Sequence, residues 1–273
     1  MLLHSRRLGV PGGHPVVLAH CFLGHGGSWA RMVEAFPLPL DALAPDLPGH
    51  GRSPVPADPG DFHGLVAGAI GGLVTRPSLL IGHSFGAAAM LRYALHHPGQ
   101  VTGLVLIEPV FFAAVTEEPD YPLWYAGEEA VQAAVRAGDP AGAARMFLAR
   151  NPGSPEYDRL PAVHRATMAA QMGLVAATVP GLIDDSGGLM APGVMEGFEV
   201  PVLLIEGRET TPVFQATARA LVRMLRSAEL ARIDGAAHMV PVSHPHQTAA
   251  AIHDWMQRTG QIPAVITENP RVL

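Results

Sequence analysis

The stretch Ser78-Leu79-Leu80-Ile81-Gly82-His83-Ser84-Phe85-Gly86-Ala87-Ala88-Ala89-Met90-Leu91 decides how this 273-residue chain is read. Its first part is an apolar run with no polar alternation, the pattern of a strand buried on both faces of a sheet. Its last part, continuing through Arg92-Tyr93-Ala94, has helical composition. Between them, Gly82 to Gly86 fits G-x-S-x-G, an elbow that projects a serine hydroxyl from a sharp strand-to-helix turn. Flanking side chains would collide in so tight a turn, which accounts for the glycines. A glycine-rich turn with an incidental serine is the plainer alternative. The strand before and the helix after favour the elbow, and make Ser84 the candidate nucleophile.

Further short apolar runs surround this one. Val16–His20, Asp41–Pro45, Val101–Ile107, Val202–Ile205 and Glu229–Ile233 read as strands, with helices over about 28–36, 61–75, 85–97, 213–226 and 244–258. Alternating strands and helices predict an α/β domain with a mostly parallel sheet. The alternation fails between about 112 and 199, where 127–150 and 160–180 look helical and no strand is convincing. A parallel connection needs only a dozen or so residues. The expectation is therefore a core of residues 1–111 and 200–273, with 112–199 as a helical cap. Residues 261–273 carry little pattern and read as an irregular tail.

Composition excludes several classes. The chain is 48% hydrophobic and 15% charged, too apolar for a disordered segment. Its net charge is −6, and no basic run marks a nucleic-acid surface. All 18 basic residues are arginine, so P-loop, Schiff-base and Ser-Lys chemistry lack their lysine. The lone Cys21 excludes an internal disulfide and a cysteine-rich zinc site. No run approaches the roughly 18 residues of a membrane span. Leu8-Gly9-Val10-Pro11-Gly12-Gly13 breaks any signal-peptide core after Arg6 and Arg7, which predicts a cytoplasmic protein without membrane partners. With no metal or dinucleotide motif, no cofactor is expected. A homo-oligomer is compatible with the sequence.

A serine hydroxyl needs a base. Of 14 histidines, His238 has the right context: Asp234-Gly235-Ala236-Ala237-His238-Met239 follows the last strand run, on the sheet edge that carries Ser84. Ligands of open α/β sheets bind at that edge. His96 and His97 sit at a helix end, and His244 and His246 at a helix start, as ordinary structural histidines do.

Four motifs now resemble the α/β-hydrolase superfamily: His20-Cys21-Phe22-Leu23-Gly24, Asp46-Leu47-Pro48-Gly49-His50-Gly51-Arg52-Ser53, the Ser84 elbow, and Gly235-Ala236-Ala237-His238-Met239. The resemblance implies an eight-stranded, mostly parallel sheet with a cap between strands six and seven. It implies Ser84 and His238 as nucleophile and base, and the Phe22 and Phe85 backbone N–H groups as an oxyanion hole. His20-Cys21 departs from the family's usual His-Gly, and Cys21 is expected to be a small buried spacer. Most relatives carry an Asp three residues after the glycine that ends strand seven; here that position is Thr210. Glu209 stands one residue early. A second family solution, as in some haloalkane dehalogenases, puts the acid at the end of strand six, where Glu108 follows Leu106-Ile107. Glu108 is preferred, Glu209 is the alternative and Glu206 a weaker third. Asp46 reads as structural, with Arg52 as its expected partner, Ser28 as a helix cap, and Trp29 as packing near the oxyanion loop.

The cap region holds Phe111, Phe112, Tyr121, Trp124, Tyr125, Phe147, Met168, Met172, Leu182 and Met190, suited to an apolar acyl or alkyl group. Arg136, Arg145, Arg150, Arg159 and Arg165 lie there too; solvated helix faces explain them more simply than a substrate carboxylate. The leading expectation is a serine hydrolase of a small to medium carboxylic ester. The alternative is carbon–carbon lyase or hydrolase chemistry, because His20–Gly24 and Trp29 resemble a pyruvate-eliminating menaquinone-pathway enzyme, with meta-cleavage-product hydrolases as a further option. A ligand-binding protein without activity is the remaining class.

Overall fold

The computed structural model describes residues 1–263. Seven strands form one sheet: β1 Ser5–Gly9, β2 His14–Ala19, β3 Leu40–Pro45, β4 Ser78–His83, β5 Val101–Ile107, β6 Val202–Gly207 and β7 Ala228–Ile233. Their order is β1-β3-β2-β4-β5-β6-β7, with β1 antiparallel to β3 and every other pair parallel. The sheet thus has seven strands among the described residues where the resemblance implied eight. A single antiparallel edge strand, β1, precedes the parallel set. The expected tail falls almost wholly outside the described residues.

The apolar runs form strands because both faces are covered. Along β4, Leu80 joins the core on one face while Leu79 and Ile81 join that on the other; along β5, Leu104 and Leu106 alternate in the same way with Val105 and Ile107. One face carries α2 (Phe62–Gly71), α3 (Phe85–His96) and α8 (Pro212–Met224); the other carries α1 (Ala30–Glu34) and α10 (Pro245–Arg258). The intervening helices are α4 (Tyr121–Arg136), α5 (Pro140–Ala149), α6 (Ala162–Ala176), α7 (Val179–Leu182) and α9 (Val240–Ser243).

Between β5 and β6 the described chain contains no strand, and α4 to α7 fill the interval. The stretch expected to be helical over 127–150 holds two helices, α4 and α5. Gly138, at φ +73°, ends the first, and Pro140 with the Asp139 side chain starts the second. Ser28 caps no helix; His25 instead accepts the Gly27 N–H before the short turn Gly26–Trp29.

Strand order reverses beside β2, whose neighbours β3 and β4 lead in opposite directions. Such a switch point opens a crevice at the C-terminal strand ends. The loop after β2, His20–Gly24, and the elbow after β4 meet there. A Cβ on Gly86 would overlap the Ala19 and His20 carbonyl oxygens, and one on Gly82 would lie 2.5 Å from the Ala87 Cα. Only glycine lets these segments pack.

Candidate active site

Ser84 sits at φ 56°, ψ −118°, a strained conformation for a residue with a side chain. Its N–H donates to Ile107 O at 2.8 Å, tying the elbow to the end of β5. The next residue of β5, Glu108, is also held at positive φ, 49°, and its N–H donates to Ile205 O at 2.8 Å on β6. Strain of this kind persists only where neighbouring structure over-determines it. Here backbone bonds between adjacent strand ends do so.

The two strained residues flank one histidine. His238 Nε2 lies 3.0 Å from Ser84 Oγ, and His238 Nδ1 lies 3.1 Å from Glu108 Oε2. The carboxylate is 1% exposed and is held by two further donors: Gly207 N–H to Oε1 at 2.7 Å and Thr210 Oγ–H to Oε2 at 2.6 Å. A buried carboxylate with three polar partners is satisfied where a bare one would be expensive. With Glu108 as acceptor, the proton belongs on Nδ1 and the Nε2 lone pair faces Ser84.

His238 itself is fixed at both backbone ends. Its N–H donates to Pro152 O at 3.1 Å, and its carbonyl accepts from His83 Nε2 at 2.8 Å. Burial pulls the His83 pKa down to about 3, so this ring is neutral, with the proton on Nε2. The Phe214 ring packs on His238 at 4.6 Å between centroids. Sequence reasoning did not foresee His83, Thr210 or Pro152 as partners. A polar residue in the first variable position of the elbow was the available signal for His83.

The other carboxylates lie elsewhere. Glu209 is exposed, and among the described residues only its backbone N–H is engaged, with Ala236 O at 2.9 Å. Glu206 pairs with Arg232 on β7 at 2.6 Å. Asp46 has the bracing role expected, but with different partners. It accepts from the Arg6 guanidinium at 2.6 Å and from the backbone N–H groups of Gly26 and Arg52, not the Arg52 side chain. Burial opposes its ionisation, but these donors outweigh that and hold its pKa at about 2.

The loop after β2 is tied down by His20, whose Nδ1–H donates to Cys21 O at 2.7 Å while Nε2 accepts the Leu47 N–H at 2.9 Å. Burial, with help from His50, lowers the His20 pKa to about 3, leaving it neutral. Among the described residues, neither the Phe22 nor the Phe85 N–H is engaged with a protein acceptor. Phe85 is the first residue of α3, where an N–H has no partner within the helix. Burial pushes the Cys21 thiol up to about 12, so it is not a thiolate at neutral pH.

Two cavities meet at Ser84. One, of about 220 Å³, is bordered by His238, Cys21, Trp29, Met168 and Val242. The other, of about 60 Å³, is bordered by Phe85, Phe112, Trp124, Leu182, Phe214 and the Glu128–Arg150 pair. Phe22, Ser84, Phe147 and Asn151 line both. Of the remaining aromatic and Met candidates, Phe111 and Met172 are buried in the core and Met190 is exposed. Among the described residues no cluster of His, Cys, Asp and Glu could hold a metal ion, and no helix is long and apolar enough to cross a membrane.

This fold, with a serine elbow facing a histidine loop at the switch point, is that of an α/β hydrolase. The chain belongs to the alpha/beta hydrolase family, whose model matches residues 16–251. It is 33% identical over 254 residues to a pimeloyl-acyl-carrier-protein methyl ester esterase of Methylococcus capsulatus, covering 89% of this chain and 95% of that one. It is 38% identical over 111 residues to lipase LipV of Mycobacterium tuberculosis, covering 39% and 41%. A hydrolase structure from Pseudomonas aeruginosa superposes with a TM-score of 0.72 at 22% identity, over 92% of this chain and 93% of that one, a likeness of fold.

Proposed function

We propose that the protein hydrolyses a small to medium carboxylic ester, with Ser84 as nucleophile, His238 as base and Glu108 as the acid. The observation that carries this reading is the chain of contacts from Ser84 Oγ through His238 to a buried, triply held Glu108 at the junction of two cavities. Ser84 Oγ attacks the ester carbonyl while its proton passes to His238 Nε2. The carbonyl electrons move onto oxygen, to which the Phe22 and Phe85 N–H groups donate hydrogen bonds; such a donor is worth about 10²–10³ in rate. The imidazolium, stabilised by Glu108, returns the proton to the departing alkoxide. A water then repeats the sequence on the acyl-enzyme and frees the acid.

The cavities divide the substrate. His238 must reach the leaving oxygen, and it borders only the larger one. Phe85, an oxyanion donor, borders only the smaller. The alcohol therefore belongs in the larger chamber and the acyl chain in the smaller. We read residues 112–199 as a cap over both. The names of the relatives, esterases and a lipase, support ester chemistry over carbon–carbon cleavage. The Methylococcus relative is named for a carboxylic ester, a methyl ester, which supports the bond type and leaves the substrate's size to experiment. Turnover of p-nitrophenyl acyl esters from acetate to decanoate, with Ser84→Ala alongside, tests the reading. Ser84-dependent turnover with a chain-length optimum supports it. No turnover by folded protein overturns it in favour of carbon–carbon chemistry.

A further inference from the structure

The smaller chamber is walled mainly by aromatic and aliphatic side chains, with Ser84, Asn151 and Thr178 among them, yet it also includes an ion pair. Arg150 Nη1 donates to Glu128 Oε2 at 3.1 Å, and Nη2 donates to Trp124 O at 2.7 Å. The guanidinium also lies over the Trp124 ring, 5.2 Å from its centroid. Gln132 Nε2 occupies Glu128 Oε1 at 2.8 Å. The side chains are 21% and 11% exposed. The other arginines of the insertion differ: Arg136 is exposed, Arg145 and Arg159 form exposed pairs with Asp158 and Glu156, and Arg165 donates to backbone carbonyls. Arg150 is the one of these five that borders a cavity shared with Ser84.

A pair that served only to join α4 to the end of α5 could be apolar, since well-packed apolar residues often replace a buried ion pair without loss of stability. A polar feature in an apolar chamber instead discriminates among occupants. The charge balance says which. A guanidinium has five N–H donors, and among the described residues two of those on Arg150 are engaged. Glu128 already neutralises the cation, so a second carboxylate would meet repulsion as well as attraction. A neutral acceptor, such as a ketone, ester or amide carbonyl, takes the free donors without that conflict.

We propose that the Arg150–Glu128 pair makes the acyl chamber selective for acyl groups that carry a neutral hydrogen-bond acceptor away from the reacting ester. This rests on the ester-hydrolase reading and deepens it. A cavity of about 60 Å³ is room for about four to six water-sized groups, given that one water needs roughly 10–15 Å³ of such volume.

Three p-nitrophenyl esters with equally many acyl non-hydrogen atoms test it: heptanoate, 5-oxohexanoate and hydrogen glutarate, each corrected for spontaneous cleavage. The wild type should favour 5-oxohexanoate over heptanoate about tenfold in kcat/KM, with hydrogen glutarate no better than heptanoate. The double variant Glu128→Leu/Arg150→Met, apolar at both positions, should reverse the first preference. Glu128→Gln, which leaves the cation uncompensated, should raise hydrogen glutarate above the other two. A wild type that prefers heptanoate, or a Glu128→Gln variant with wild-type ratios, overturns the proposal, whether or not the double variant folds. Failure of Ser84-dependent turnover on all three esters would instead overturn the ester-hydrolase reading.

Discussion

The ends of β5 and β6 each carry a glutamate beside the same histidine loop, and the two have opposite surroundings. Glu108 is buried at positive φ, with Gly207, Thr210 and His238 on its carboxylate. Glu209 projects into solvent, with its backbone alone engaged among the described residues. Thr210, the residue after Glu209, is buried and uses its hydroxyl to hold Glu108. On the proposed reading, the contrast teaches that donors and burial around a carboxylate make it the acid, more than its place along the chain. The end of β6 supports the carboxylate that follows β5.

The strongest way to break this contrast is to neutralise each glutamate. Glu108→Gln should lower kcat by about 10³–10⁴, because the amide favours the wrong imidazole tautomer and leaves the imidazolium uncompensated. Glu209→Gln should stay near wild type. Steady-state kinetics on one p-nitrophenyl ester reads both, and the reverse pattern would move the acid to β6. A sharper form asks whether a carboxylate placed after β6, at position 210, can serve in its stead. Adding Thr210→Asp to Glu108→Gln should recover turnover by an order of magnitude or more over the single variant. No recovery would mean that β6 here no longer aims that position at His238.

Thr210→Val removes one charge-assisted hydrogen bond and should cost about tenfold in kcat with little change in KM. Thr210→Ser should restore it. Equal activity of the Val and Ser variants would reduce Thr210 to packing.

Much of this site was legible before any coordinates. The elbow, the late histidine and the apolar strands are local patterns, and burial on both faces of the sheet makes the strands conspicuous. Other features depend on distant pairing. Thr210 and Glu108 are 102 residues apart, and nothing local to Thr210 announces a donor to β5. The edge strand β1 was unread because Ser-Arg-Arg-Leu-Gly carries charge, as edges do. Its arginines pair with Asp46 and Asp41 across to β3. Arg150 resembled its neighbours in sequence, and only burial separates it from them.

A separate, pH-dependent effect concerns the buried histidines that support the site. Burial lowers the pKa of His20 and His83 to about 3, and of His50 and His63 to about 4, from an ordinary 6.5. The unfolded chain takes up these protons as pH falls through 6.5, while the fold resists them. Their contribution to stability is therefore complete above 6.5 and declines as pH falls toward 3 to 4. Asp46, held at about 2, extends the decline below its ordinary 3.8. Thermal melts from pH 8 to 4 should show a level Tm above about 7 and a progressive fall below 6.5. A level Tm down to pH 4 would contradict neutral burial of these rings.

The most direct test of Ser84, His238 and Glu108 as a working unit is the rate of covalent labelling by a serine-directed fluorophosphonate, followed by peptide mass spectrometry. The wild type and Glu209→Gln should label at Ser84 at equal rates, Glu108→Gln should label at least about 100-fold more slowly, and Ser84→Ala should not label. Labelling at another residue, or slow labelling of Glu209→Gln beside rapid labelling of Glu108→Gln, would contradict the assignment.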